Sequence, residues 1–303
     1  AADLHRQNLT DRERTLGPEH PDTLGSRNNL AICLRDMGEH QQAADLHRQN
    51  LTDRERTLGP EHPDTLGSRN NLAVCLGDMG EYRQAADLHR QDLTDRERTL
   101  EPEHPDTLGS RNNLAGCLQN LGEHQQAADL HRQNLTARER TLGPEHPSTL
   151  GSRNNLAVCL QNLGEHQQAA DLHRQNLTAR ERTLGPEHPD TLSSRNNLAN
   201  SLQVLGGHQQ AADLHRQNLT DCERTLGPEH PSTLMSRHNL AICLRDMGEH
   251  QQAADLHRQN LTDCERTLGP EHPSTLTSRR SLVSAEAALA NASPWQRWLP
   301  WRH

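Results

Sequence analysis

Histidine is the side chain that most invites a chemical role, since the 303-residue chain contains 21 of them at recurring positions. His40 and His47 lie seven residues apart and would share one face of a helix. A zinc site needs ligands that converge, usually with thiolate or carboxylate partners. Seven of the histidines directly precede proline in predicted turns, and twelve recur at two helix positions. The pattern therefore favours turn and core histidines, and it predicts no metal site.

The seven cysteines also recur, at two positions of the same pattern. Five share one position: Cys33, Cys75, Cys117, Cys159 and Cys243. The other two, Cys222 and Cys264, replace an arginine of other copies, and we expect them to be exposed. Packed helices lie about 8–10 Å apart, whereas a disulfide needs Cα atoms within about 7 Å, so cysteines one copy apart should not pair. The odd count agrees with reduced thiols and predicts a cytoplasmic protein.

No side chains in the sequence are arranged for catalysis, because every candidate recurs in near-identical copies. An acid, base or nucleophile must converge at one unique place. The net charge is −9 and lysine is absent, whereas a nucleic-acid partner needs a basic stripe. The chain has no run of about 18 apolar residues and no GxxxxGK(S/T) motif. We predict no enzyme activity, no cofactor, no nucleic-acid partner and no membrane span.

The elements that position these residues follow from a period of 42 residues. Copies begin at Ala1, Ala43, Ala85, Ala127, Ala169, Ala211 and Ala253. Apolar spacings of three and four predict two helices in each copy. One runs from about Glu39 to Leu58 and ends at Gly59; the next begins near Pro63 and ends at Gly80, since glycine suits a helix end and proline a first turn. No stretch alternates like a strand, so the predicted fold class is all-α.

One segment, "NNLAVCLGDMGEYRQAADLHRQ", resembles the tetratricopeptide repeat, because Leu72, Ala73, Leu76, Gly80 and Tyr82 have its signature spacing. The 42-residue length, with "LGPEHPDTL" and "NNLA", is similar to the kinesin-light-chain-like variety, which also occurs in bacterial proteins. The resemblance implies a right-handed superhelical solenoid of helix-turn-helix repeats with a concave groove. In its nomenclature, the helix beginning near Pro63 is helix A and the one beginning near Glu39 is helix B.

The chain departs from this family at positions that usually hold aromatic rings. Arg27 and its equivalents replace the aromatic residue of helix A. In helix B, His40 and His47 replace two more in most copies, and Tyr82 alone keeps a ring. We therefore expect a looser core, since histidine buries less apolar area than tyrosine or phenylalanine. The nearby "DRER" stretches read as a solvated face with local ion pairs.

One asparagine of helix A recurs in six copies, and we call this set the asparagine ladder. Its members are Asn29, Asn71, Asn113, Asn155, Asn197 and Asn239. An asparagine side chain offers one acceptor and two donors, which can match the backbone of an extended peptide. In the repeats that this sequence resembles, the matching asparagine holds peptide backbone in the groove. The other interpretation is a surface asparagine bonded within its own repeat.

Two functions follow from this pattern. The first is a non-catalytic scaffold that binds an extended segment of a partner protein in the groove. The second is a structural or self-assembling spacer of a larger signalling protein, with self-association through the open half repeat at Ala1. Residues 1–290 form the predicted array, consisting of a half repeat, six helix A/B pairs and a terminal helix A. Residues 291–303 form a tail with Trp295, Trp298 and Trp301, expected to cap the last helix or to bind a membrane surface or a protein.

Overall fold

The computed structural model describes residues 2–291, which form fourteen α-helices and no strand. The helices are α1 (Ala2–Leu16), α2 (Pro21–Asp36), α3 (His40–Leu58), α4 (Pro63–Asp78), α5 (Tyr82–Thr99), α6 (Pro105–Asn120), α7 (His124–Leu142), α8 (Pro147–Asn162), α9 (His166–Leu184), α10 (Pro189–Val204), α11 (His208–Leu226), α12 (Pro231–Asp246), α13 (His250–Leu268) and α14 (Pro273–Asn291). The all-α repeat prediction is confirmed. The predicted role of the tryptophan tail concerns residues outside this part of the chain.

The histidines before proline start each helix A. The ring Nδ1 of His62 accepts a hydrogen bond from the backbone N–H of Asp64 at 3.2 Å, and Pro63 occupies the first helical position. Six further copies make the same bond: His20, His104, His146, His188, His230 and His272. Helix B ends at Gly59, whose φ of +89° lies where glycine is favoured. The turn prediction for these histidines is confirmed.

The chain divides into two compact units, Ala1–Cys159 and Leu160–His303. In the first unit consecutive helices from α1 through α7 pack against each other, and in the second unit consecutive helices from α9 through α14 do so. The repeated core comes from leucines of helix A, such as Leu66 and Leu76, against paired alanines of helix B, such as Ala85 and Ala86. Met37, directly after α2, is 58% exposed and lies outside this core.

The histidines at the His47 position lie inside this core, as the sequence predicts. They are His47, His89, His131, His173, His215 and His257, each at most 2% exposed. Burial lowers the pKa of five of them to about 4, and it also lowers the pKa of His89. The core therefore holds neutral imidazole rings.

All seven cysteines are free thiols, in agreement with the sequence. The expected exposure of Cys222 and Cys264 is wrong, since these side chains are 0% and 1% exposed. Each Sγ lies near a serine hydroxyl of the following helix A, at 3.7 Å from Ser236 and 3.6 Å from Ser278. A thiol is shorter than the arginine it replaces, so it stays between the helices and does not reach solvent.

Candidate peptide-binding surface

The asparagine ladder joins successive A helices to each other. Asn71 Nδ2 donates to Asn28 Oδ1 at 2.9 Å, which links α4 to α2. The same bond recurs from Asn113 to Asn70 at 2.9 Å, from Asn155 to Asn112 at 3.0 Å and from Asn239 to Asn196 at 2.7 Å. The interpretation of bonds within one repeat is therefore wrong for these four residues. They use one amide hydrogen to hold the register between copies.

Part of the hydrogen-bonding capacity of the ladder remains after these bonds form. Asn29 is exposed, and the other five members are half-buried. Among the described residues, the Oδ1 atoms of Asn71, Asn113, Asn155 and Asn239 accept no hydrogen bond. Each of these four amides also keeps its second hydrogen. In these four copies the surface can still offer one donor and one acceptor to an extended chain.

In the second unit, the ladder borders a cavity of about 450 Å³ between α10, α11 and α12. Asn196 and Asn197 line it from α10, and Met235 and Ser236 line it from α12. Met235 is 58% exposed, so an apolar side chain faces solvent at the edge of the cavity. The cavity gives the ladder surface a recess that can accept a side chain.

A buried arginine in helix A is a second polar feature, and the sequence did not reveal its role. Arg69 is 4% exposed, and its Nη1 donates to Asp95 Oδ2 of α5 at 2.6 Å. Its Nη2 donates to Glu55 Oε1 of α3 at 3.2 Å and to the carbonyl of Pro60 at 3.3 Å. One guanidinium thus connects helix A to the helix B on either side, and we call this arrangement the arginine clamp.

The same clamp, with both carboxylates, forms around Arg27, Arg195 and Arg237. Around Arg27 and Arg69 its acids come from the "DRER" stretches, and around Arg195 and Arg237 they come from the equivalent "ARER" and "DCER" stretches. The predicted local ion pairs are confirmed, as between Asp53 and Arg56 at 3.3 Å. Asp53 and Glu55 also bind buried arginines, so these stretches do more than form a solvated face.

The available signal in the sequence was an arginine at the helix A position where this family usually has an aromatic residue. From the sequence, this arginine indicates only the loss of an aromatic side chain. The structure shows that the guanidinium is buried in its place and binds its own carboxylate partners.

The described residues hold no group of three or more His, Cys, Asp or Glu that could bind a metal ion. Within residues 2–291, none of the helices combines the length and apolarity required of a membrane span.

Comparison with known proteins agrees with this architecture. The tetratricopeptide repeat model matches residues 1–52, 26–98, 106–175, 148–217, 194–262 and 238–293. Two crystal structures of nearly identical TPR-like repeats, from a Podosopora anserina protein assigned as a kinesin light chain, are 33% and 34% identical to this chain. Each comparison covers 68% of this chain and 98% of the other, with TM-scores of 0.65 and 0.64. No curated protein matches the sequence.

A more distant likeness is to a Rap protein complexed with competence and sporulation factor. It is 12% identical, with 93% of this chain and 80% of the other covered, and the TM-score is 0.55. This likeness shows the fold alone. The repeat length, the helix pairs and the family match together establish that the chain belongs to the tetratricopeptide repeat family, in its kinesin-light-chain-like form.

Proposed function

We propose that the chain is a non-catalytic scaffold that binds an extended segment of a partner protein along the asparagine ladder. The observation that carries this proposal is the unused Oδ1 and N–H of Asn71, Asn113, Asn155 and Asn239. One such pair in each of these four copies suits the alternating N–H and C=O groups of a peptide backbone. Family membership supports the same function, since tetratricopeptide repeats generally act as protein-interaction scaffolds.

The proposed partner is a protein or peptide, and the proposed location is the cytoplasm. Seven free thiols support a reducing compartment. Near-identical copies support a binding role over catalysis, because a catalytic site needs a unique arrangement. The division into an array over residues 1–290 and a tail over 291–303 remains a prediction.

Self-association, the second function predicted from the sequence, stays a prediction. Analytical ultracentrifugation of the chain over a range of concentrations tests it. A monomer at all concentrations would remove it.

The scaffold proposal is tested with peptides selected from a random displayed library against the full chain. The ladder variant combines Asn71→Ala, Asn113→Ala and Asn155→Ala. Its control combines Asn28→Ala, Asn70→Ala and Asn112→Ala, which breaks the same three bonds between copies from the acceptor side. Any loss of register between copies should therefore be similar in the two variants.

We expect the ladder variant to bind a selected peptide at least about tenfold more weakly, since each lost hydrogen bond contributes about 0.5–1.5 kcal/mol. The control should lose less than about threefold, because it retains the ladder amides. Equal loss in both variants would make the ladder purely structural. Unchanged affinity in the ladder variant would place the binding surface elsewhere.

A further inference from the structure

An arginine of helix B fills a defined position against the first turn of the next helix A. Arg54 Nη1 donates to the carbonyl of Asp64 at 2.8 Å and to Ser68 Oγ at 3.0 Å. Arg12, Arg138 and Arg180 make the equivalent two bonds in their copies. We call this position the guanidinium slot.

The slot in the second unit that contains Cys222 has lost its arginine. Cys222 stands at the position of Arg138, and the cavity of about 450 Å³ lies beside it. Ser232 and Ser236 line this cavity, and they are equivalent to the two serines that bind Arg138. The replacement therefore leaves space and potential acceptors where other copies hold a guanidinium.

A buried amide oxygen at the same place lacks a partner. Asn218 lines the cavity and is 3% exposed. Its Nδ2 donates to Ser236 Oγ at 3.0 Å, but its Oδ1 accepts no hydrogen bond from the described residues. A buried acceptor without a partner is destabilising. A ligand with several N–H donors would remove this cost.

The remaining walls suit an aliphatic stem. Leu192, Leu226 and Met235 line the cavity together with the acceptors. The chain carries a net charge of −9, which attracts a cationic ligand over distance. Arg138 shows that the slot can hold a guanidinium on a carbonyl and a hydroxyl, with no carboxylate bonded to it among the described residues.

We propose that the cavity beside Cys222 binds the side chain of an arginine supplied by the partner segment. The guanidinium would occupy the position that Arg138 fills in its own copy, with N–H groups directed at Ser236 and Asn218. This inference rests on the proposed function, because Asn197 of the ladder borders the same cavity. Binding at this cavity would give the scaffold a preference for partner segments that contain arginine. The ladder amides alone contact only the peptide backbone and would not select a sequence.

The probe is Nα-acetyl-L-arginine N-methylamide, titrated into the full chain while the side-chain amide signal of Asn218 is followed by NMR. We expect a saturable shift that is lost in Cys222→Arg, which refills the slot. Cys222→Ala keeps the cavity and should keep the shift. Cys264→Arg is the matched control, because it refills the equivalent position of another copy and should leave the Asn218 shift unchanged.

A reverse variant keeps the proposal testable if Cys222→Arg does not fold. Arg54→Cys should open a slot in the first unit and create a new shift at Asn50, which is equivalent to Asn218 and whose Oδ1 also accepts no hydrogen bond from the described residues. A shift that persists in folded Cys222→Arg would overturn the proposal, as would the absence of any shift in the unsubstituted chain. The blocked lysine analogue should bind at least about fivefold more weakly, because it lacks the planar fork of donors.

Failure of this inference and failure of the scaffold proposal give different results. The ladder variant changes only residues of the first unit, so it should bind the blocked arginine normally. Selected peptides that depend on the ladder but show no arginine preference would remove the slot and keep the scaffold. If the blocked arginine binds but the ladder variant does not weaken peptide binding, the slot is kept and the scaffold proposal is removed.

Discussion

Helices α5 and α7 hold the same place in adjacent copies, but they differ at two positions that face the neighbouring helices. In α5, Asp95 binds the buried Arg69 at 2.6 Å, and Asp92 is fully buried. In α7, the equivalent residues are Ala137 and Asn134. Two copies that are nearly identical in sequence thus pair their buried cations in different ways.

The comparison shows how a buried guanidinium tolerates the loss of a carboxylate. Arg111, the equivalent of Arg69, is only 6% exposed although it faces Ala137 in place of an aspartate. Its Nη1 donates to Asn134 Oδ1 at 3.3 Å, and its Nη2 donates to Glu97 at 2.8 Å, compared with 3.2 Å from Arg69 to Glu55. The partner has moved one turn along helix B, and the guanidinium remains paired.

The largest expected effect is a loss of stability at acidic pH. It comes from the buried histidines, one of which lies in each of the two helices. The pKa of His131 is about 4 because of burial, against about 6.5 in an unfolded chain. The unfolded state therefore binds more protons between these values, so stability is complete above pH 6.5 and falls as the pH approaches 4. At about 1.4 kcal/mol per pKa unit, each such histidine contributes up to about 3 kcal/mol.

Urea unfolding at pH 7.5 and pH 5 measures this loss. It also sharpens the comparison, because Asp92 raises the pKa of His89 against the effect of burial. At mildly acidic pH, backbone amides should therefore exchange faster in α7 than in α5. Equal stability at pH 7.5 and pH 5 would show that the folded and unfolded chains bind the same number of protons over this range, so that burial does not lower the pKa of these rings.

The next effect comes from removing the clamp arginines. Arg69→Ala should destabilise the chain by about 2–3 kcal/mol, because it removes a buried guanidinium and leaves the half-buried Asp95 with Arg98 as its remaining cation. Arg111→Ala should cost only about 1–2 kcal/mol, since α7 has no carboxylate at that position. Free energies of unfolding from urea curves at pH 7.5 test the difference. Equal costs would mean that the aspartate adds nothing to the clamp.

Installing the missing carboxylate should give a smaller change of opposite sign. Ala137→Asp supplies Arg111 with the partner that Asp95 gives Arg69, and we expect a gain of about 1 kcal/mol. In that background, Arg111→Ala should cost as much as Arg69→Ala does in the unsubstituted chain. A double-mutant cycle measures this coupling. A coupling energy near zero would indicate that helix geometry, and not residue type, separates the two copies.

The sequence predicted the helix pairs closely, because glycine and proline mark their ends. Helix α3 begins at His40, one residue from the predicted start, and α4 begins at Pro63 as predicted. The ladder residues were also identified, but their bonds between copies were not, since a bond from Asn71 to Asn28 depends on how two A helices pack. The clamp was missed for the same reason. The 42-residue period shows which residues are equivalent between copies. It does not show the contacts of Arg69, because these depend on how α3, α4 and α5 pack against each other.

The smallest predicted effect isolates the second difference between α5 and α7. Asp92 accepts hydrogen bonds from Arg96 Nε at 2.9 Å and from Ser110 Oγ at 2.5 Å, and its charge raises the pKa of His89. Asp92→Asn removes that charge, so the pKa of His89 should fall towards that of His131. Arg96 keeps Asp106 at 3.1 Å, which limits the loss of stability at pH 7.5 to about 1 kcal/mol.

The readout is the dependence of stability on pH. A lower pKa for His89 widens the gap from the unfolded state, so Asp92→Asn should lose more free energy of unfolding between pH 7.5 and pH 5.5 than the unsubstituted chain does. Asp95→Asn is the matched control, because it removes a carboxylate from the same helix that does not act on His89. It should lower stability similarly at both pH values. If both variants change the pH dependence alike, the charge of Asp92 has no specific effect on the buried ring.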